Sequence, residues 1–199
     1  MEWSFVVLAY LIGCIPFGVI IAKVRGVDLR SQGSGNIGAT NALRVMGKKA
    51  GAVTLVGDIL KGTAAVLIAA RFGGRDIGIY AAAAAVLGHD FPVTARFKGG
   101  KGVAASYGVL LGLAPAVALT GFATWLAAAL ITRVSSLGAL ISFALTPAVC
   151  YILFRGDSAL LVLSVFLTVL IFLKHKGNIQ RLMHGAEPKI GRKADSRPE

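Results

Sequence analysis

VAASYGVLLGLAPAVALTGFATWLAAALIT, residues 103–132, can be read in two ways. These thirty uncharged residues make either one long helix bent at Pro115 or two spans that turn back on each other there. The choice sets the parity of every later crossing. A helical crossing takes roughly 17–25 apolar residues. Further apolar segments stand at 3–22, 50–70, 77–93, 136–154 and 158–173, with 103–114 short and 116–132 adequate. Basic residues decide between the readings, because cytoplasmic loops of membrane proteins collect Lys and Arg. With two spans, segments 23–49 and 94–102, Arg133 and the tail from 174 share one side and hold seventeen basic residues. The other side has three, Arg71, Arg75 and Arg155. With one fused span the tail changes sides, and each side holds ten. The bias predicts an all-α integral membrane bundle of seven transmembrane helices, N-terminus outside and C-terminus inside, with Pro115 at a tight outer turn.

Composition agrees. The chain of 199 residues is 56% hydrophobic, and its mean hydropathy is +0.75. That is too apolar for a soluble domain. The net charge of +12 fits either a nucleic-acid binder or a membrane protein with basic cytoplasmic loops. The apolar runs favour the second, and no zinc-finger, RNA-recognition or basic-zipper pattern is present. Cys14 and Cys150 sit inside apolar runs and read as buried thiols, not a disulfide framework. The start, MEWSF, lacks a basic n-region, so the first apolar run reads as a retained helix. Residues 1–191 form one expected domain, and RKADSRPE, 192–199, a basic flexible tail.

Three polar segments come to the same face under this parity. SQGSGNIGATNALRVMGKK, 31–49, contains Gly33-x-Gly35-x-x-Gly38. No strand precedes it, so the dinucleotide-binding reading fails. What remains is a glycine-rich turn before a short helix, with Ser34, Asn36, Thr40 and Asn41 offering polar groups and Arg44 a fork for phosphate. GHDFPVTARFKGGKGVAAS, 88–106, lacks the spacing of a P-loop, and Gly102 follows Lys101 where Ser or Thr would stand. Gly99, Gly100 and Gly102 around Lys101, before an apolar helix, make a candidate phosphate cradle. His89 and Asp90 close the third span, either as part of this site or as a cap that holds the loop. In KHKGNIQRLMHGAEPKIG, 174–191, His175 and Asn178 share a face if the last helix continues. His175 can move a proton and Asn178 can donate to an oxyanion, while Glu187 reads as a structural partner for Lys or Arg. The basic tail also suits anionic lipid. Asp58 and Lys61 lie three apart inside a span and can pair. Ser135 and Ser136 open the sixth span, either as caps or as hydroxyls of the same site. The three histidines have no metal-ligand spacing, so no metal is expected.

GSGNIGATNALR, GHDFPVTARFKGGKGVA and KHKGNIQRLMHGAEPKIG, in this order, resemble the three motif regions of the bacterial acyl-phosphate:glycerol-3-phosphate acyltransferase family. The resemblance covers the chain to about residue 191. It implies a seven-helix enzyme of the bacterial inner membrane, with its active site facing the cytoplasm. That enzyme transfers a fatty acyl group from acyl phosphate to the 1-hydroxyl of glycerol 3-phosphate, giving lysophosphatidic acid and phosphate, the first step of phospholipid synthesis. It implies no cofactor and no nucleic-acid partner, with membrane lipids around a chain taken as a monomer. It implies an essential Ser34 and Arg44, a glycerol phosphate site at Gly99, Gly100, Lys101 and Gly102, and roles for His175, Asn178 and Glu187.

On this reading Arg44 and Lys101 hold the glycerol phosphate. Ser34, the glycine amides and Asn178 cradle the acyl phosphate and the developing oxyanion. The base is either His175 or a phosphate oxygen of the donor. None of the three histidines has Asp five positions later, which disfavours an acyl-CoA enzyme of the soluble type. A transporter is the main rival, but no internal repeat or midplane site is evident. A purely structural lipid-binding protein leaves the three motifs without a role.

Overall fold

The computed structural model describes residues 2–191, so the tail at 192–199 lies outside the described residues. Every regular element among them is helical: α1 (Trp3–Gly13), α2 (Phe17–Val24), α3 (Ala39–Met46), α4 (Lys48–Asp90), α5 (Val103–Leu113), α6 (Pro115–Thr132), α7 (Ser135–Leu153), α8 (Ser158–Lys174) and α9 (Lys176–Met183), with one 3-10 turn at Val93–Ala95. Helices satisfy their own backbone hydrogen bonds, which lipid requires because it offers no partners.

Residues 103–132 are two helices. Ala114 (φ −148, ψ 75) reverses the chain, and Pro115 is the first residue of α6, where its missing N–H costs nothing. The return is tight. Tyr107 on α5 meets Phe122 on α6 edge-on with centroids 5.8 Å apart. Its hydroxyl donates to Ser142 Oγ on α7 at 2.8 Å.

The run Lys48–Asp90 is a hairpin as well. Gly74 (φ 84, ψ 172) breaks it, in a conformation that glycine alone adopts easily. The two arms then lie against each other. Gly78 packs on Ala70, and Asp58 on the first arm reaches His89 on the second at 3.5 Å. The first apolar run is broken too, between α1 and α2 at residues 14–16. Lys61 covers that break by donating to the Ile15 carbonyl at 2.6 Å.

By length and apolarity, four helices among the described residues suit a membrane crossing: Trp3–Val24, Lys48–Ala95, Pro115–Thr132 and Ser135–Leu153. The pair Ser158–Lys174 and Lys176–Met183, bent by 61°, makes a fifth, and Val103–Leu113 is a shorter apolar helix. Lys48–Ala95 counts once there although its two arms are antiparallel. Large apolar side chains such as Leu119, Leu130, Ile131 and Val162 point outward, as they do when lipid is the solvent.

Helix contacts rely on small residues. A Cβ added at Gly13 would stand 2.1 Å from the Ala85 carbonyl oxygen, and one at Gly88 would stand 2.2 Å from that of Tyr10. Without a hydrophobic drive between helices in lipid, such close backbone approach supplies the association. The turns at Gly74, at Ala114–Pro115 and between α7 and α8 form one end of the bundle. The opposite end receives the loops before α3, between α4 and α5, between α6 and α7, and after α8.

Two glycines separate two causes of destabilisation. Gly88→Ala should cost about 1–3 kcal/mol through overpacking. Gly74→Ala, with nothing within 4 Å of the added methyl, should cost a similar ~1–3 kcal/mol through backbone strain alone. Thermal unfolding in detergent should show a drop for each variant, and a wild-type melting point for Gly88→Ala would contradict the packing argument.

Candidate active site

The loop-bearing end encloses a cavity of about 530 Å³, reached by side chains from all three polar segments. Lys101 enters it from the loop before α5. Its ammonium donates to Asn178 Oδ1 on α9, and Asn178 Nδ2 donates to Glu187 Oε1. Ser136 Oγ donates to the same oxygen at 2.7 Å. Arg181 Nε donates to Glu187 Oε2, also at 2.7 Å. Glu187, with only 8% of its side chain exposed, thus gathers three donors from α7 and α9 around one carboxylate. Pairing with a basic residue was expected; Arg181 itself was missed, although it lies three residues after Asn178 and so shares its face. Ser135 reaches Thr40 on α3, hydroxyl to hydroxyl, at 3.0 Å. Neither serine caps α7.

His175 and Asn178 both line the cavity, but not on a continued helix. The chain bends by 61° between α8 and α9, with His175 at the joint. His175 Nδ1 lies 2.8 Å from the Ile171 carbonyl. A carbonyl only accepts, so Nδ1 carries the proton and Nε2 is the basic nitrogen.

The first segment supplies Ser34, Thr40 and Arg44 to the cavity. Asn41 was expected to bind substrate, but its amide is committed to the chain. Nδ2 donates to the carbonyls of Leu29, Gln32 and Asn36 at 3.1, 3.1 and 2.8 Å. Oδ1 accepts from the Ser34 amide at 2.9 Å. Asn41 therefore shapes the glycine turn that presents Ser34. Arg44 has no partner among the described residues, leaving its guanidinium available to a ligand.

The glycines of KGGKG divide by role. Gly99 and Gly100 were expected to cradle phosphate, yet their amides donate to the carbonyls of Asp90 and His89 at 3.2 and 3.0 Å. A Cβ at Gly100 would stand 2.0 Å from His89 Nε2. Both glycines let the loop dock on the end of α4, and of this group only Lys101 and Gly102 line the cavity. His89 and Asp90 hold this loop through their carbonyls, one of the roles open to them from sequence. Asp58 pairs with Lys61 at 2.9 Å and borders the cavity beside His89. Among the described residues, no group of three or more His, Cys, Asp or Glu gathers as a metal site.

The charges are tuned by this crowding. Burial pushes the Lys101 ammonium down to about 8, with the Arg181, Arg44 and Lys174 charges adding to the effect and Glu187 opposing it. Burial, then the Lys101 charge, lowers His175 to about 4, so it is neutral near pH 7. Glu187 lies below the usual carboxylate range: burial opposes this, but hydrogen bonds from Ser136, Asn178 and Arg181 outweigh it. The cavity wall away from the cations is apolar, with Leu55, Tyr107, Phe122 and Trp125. These wall residues have no polar signature, and only the fold brings them together.

A cationic pocket beside an apolar wall, at one end of a membrane bundle, suits an anionic substrate joined to a lipid one. A family profile described as glycerol-3-phosphate acyltransferase matches residues 3–185. The chain belongs to this family. A Brucella suis protein named glycerol-3-phosphate acyltransferase is 52% identical over 188 residues, 94% of this chain and 92% of that protein. One from Brucella melitensis is 51% identical over equal shares. The fold matches the crystal structure of PlsY (YgiH), an integral membrane glycerol 3-phosphate acyltransferase, in its glycerol 3-phosphate form. The TM-score is 0.91, with 40% identity over 96% of each chain. Its lysophosphatidic acid form gives 0.89 and 39% over 96% and 95%. Family membership makes this chain a multi-pass membrane acyltransferase.

The Glu187 junction has a direct test. Glu187→Gln places an amide where three donors converge, and should cost about 1–3 kcal/mol of stability. It should lower kcat/KM by roughly a hundredfold, as Arg181 loses its ion pair and Asn178, which holds Lys101, loses its acceptor. Steady-state acyl transfer with thermal unfolding checks both, and an unchanged kcat/KM in folded protein would remove Glu187 from the site.

Proposed function

We propose that the chain transfers a fatty acyl group from acyl phosphate to the 1-hydroxyl of glycerol 3-phosphate, releasing lysophosphatidic acid and phosphate. The observation that carries this reading is the unpartnered Arg44 beside the Lys101–Asn178–Glu187 chain, facing an apolar wall. Arg44 and Lys101 hold the glycerol phosphate, Ser34 and the free proton of the Asn178 amide face the acyl phosphate, and Leu55, Phe122 and Trp125 take its acyl chain. Residues 1–191 act as one catalytic domain, with seven crossings of the bacterial inner membrane and the cavity on the cytoplasmic side. The antiparallel arms of α4 and the reversal at Pro115 support that count, and the seventeen-to-three split of basic residues supports the orientation.

The glycerol oxygen attacks the acyl carbon, the bond from that carbon to the phosphate oxygen breaks, and phosphate leaves. Where the hydroxyl proton goes follows from His175. Burial and the Lys101 charge lower His175 to about 4 in the free protein, which favours a role for Nε2 in orienting the hydroxyl by hydrogen bonding. The proton passes to a phosphate oxygen of the donor. Because the acyl phosphate is already activated, much of the rate comes from orientation.

Purified protein given labelled glycerol 3-phosphate and palmitoyl phosphate should form lysophosphatidic acid, and Lys101→Ala should abolish it. Product from palmitoyl-CoA alone would overturn the donor assignment, and none from either donor would overturn the reaction. The pH dependence is also set. A phosphate monoester gains its second charge near ~6, and Lys101 in the free enzyme loses its proton near 8. Affinity supplied by Lys101 is therefore present below that value and lost as pH rises through it. kcat/KM for glycerol 3-phosphate should follow a bell with limbs at about these values. Lys101→Arg, which does not titrate there, should lose the alkaline limb. A limb that survives in Lys101→Arg belongs to another group.

A further inference from the structure

A second cavity, of about 600 Å³, lies outside the active site, where the loop after α4 meets the break between α1 and α2. Its walls are of two kinds. Leu11, Ile15 and Val19 line one side, and Arg30, Arg96 and Lys98 line the other, with no acidic residue among the lining. We infer that this cavity holds the phosphate headgroup of an anionic membrane phospholipid, with its acyl chains along α1 and α2.

Four observations carry this. First, the side chains of Arg96 and Lys98 have no partner among the described residues. Arg30 donates through Nη2 to the Lys98 carbonyl at 2.9 Å; the nearby Asp28 carboxylate takes the Arg30 backbone amide at 2.9 Å. Three cations thus line one wall, and the Asp28 carboxylate is engaged by a backbone amide. Second, Arg96 and Phe97 are consecutive left-handed residues, with φ 51 and 61. Neither is glycine, so the loop holds a costly shape that aims side chains. Third, that shape leaves Phe97 60% and Val93 52% exposed, beside cations. Apolar side chains next to Lys and Arg are the pattern of a membrane interface. Fourth, the loop is tied to the break between α1 and α2: the Thr94 hydroxyl donates to the Cys14 carbonyl at 3.4 Å.

The chemistry selects a lipid over a free anion. Phosphate or glycerol 3-phosphate alone needs no apolar wall, whereas a diacyl lipid uses both sides. Each cation near an anionic surface adds attraction for the headgroup. The site is separate from the catalytic cavity, although Lys98 lies three residues before Lys101 on the same loop.

The test uses full-length protein in nanodiscs that mix phosphatidylglycerol and phosphatidylethanolamine, with lipid retention read by native mass spectrometry. Wild type should keep phosphatidylglycerol in preference. The variant Arg96→Gln with Lys98→Gln should bind it at least about tenfold more weakly. A charge-matched control, Arg71→Gln with Arg155→Gln, should bind as wild type does. Inorganic phosphate and glycerol 3-phosphate, added separately, should not displace the lipid. Equal retention in the double variant and wild type would overturn the inference, as would no preference between the two lipids or displacement by the free anions. Should the double variant fail to fold, wild type with a photoactivatable phosphatidylglycerol decides. Crosslinks in residues 11–19 or 92–98 support the site, and crosslinks confined to other peptides overturn it.

Discussion

The active end depends on one carboxylate. Lys101, Arg181 and Arg44 share a small cavity, and like charges in such a space repel. Glu187 makes the arrangement stable by taking hydrogen bonds from Arg181, Asn178 and Ser136. It reaches Lys101 only through Asn178. That indirect link leaves the lysine partly compensated and still available to an incoming phosphate. Arg44 has no partner among the described residues. The cavity therefore holds an uncompensated positive charge that a dianionic substrate neutralises, and burial together with that excess of positive charge keeps His175 neutral.

The membrane decides where such a site can be. In lipid the backbone must be helical and polar chemistry must sit at helix ends or in protein-lined cavities. The chain meets this with short returns at one end (Gly74, Ala114–Pro115) and long polar loops at the other. Asp58 and Lys61 are consistent with that division. They are buried, yet Lys61 is spent on the Ile15 carbonyl and on Asp58, and Asp58 lies against His89. They tie the broken first helix to the α4 hairpin and offer no path for a solute, which weakens the transporter reading.

Much of this was legible in the sequence, for identifiable reasons. Charge parity exposes the reversal at Pro115 because Lys and Arg sort by side, a property of loops that needs no packing. Asp58 and Lys61 were readable as a pair from helical spacing alone. The glycines were less transparent. Two adjacent glycines beside a lysine look like a phosphate cradle, but Gly99 and Gly100 are small so that the loop can dock against His89. Only coordinates show that their amides are taken. Asn41 misled in the same way, since an amide that binds ligand and one that folds a loop read alike. Tyr107, Phe122 and Trp125 could not be singled out among so many apolar residues.

The central claim is that Arg44 and Lys101 bind the phosphate of glycerol 3-phosphate in this cavity. Calorimetric titration of glycerol 3-phosphate into purified protein at pH 7 tests it without any turnover. Arg44→Ala and Lys101→Ala should each weaken binding by at least about tenfold, since hydrogen bonds to charged groups contribute roughly 1.5–3 kcal/mol. Lys49→Ala, on the same face but outside the cavity, should bind as wild type does. Wild-type affinity in both folded cavity variants would contradict the account.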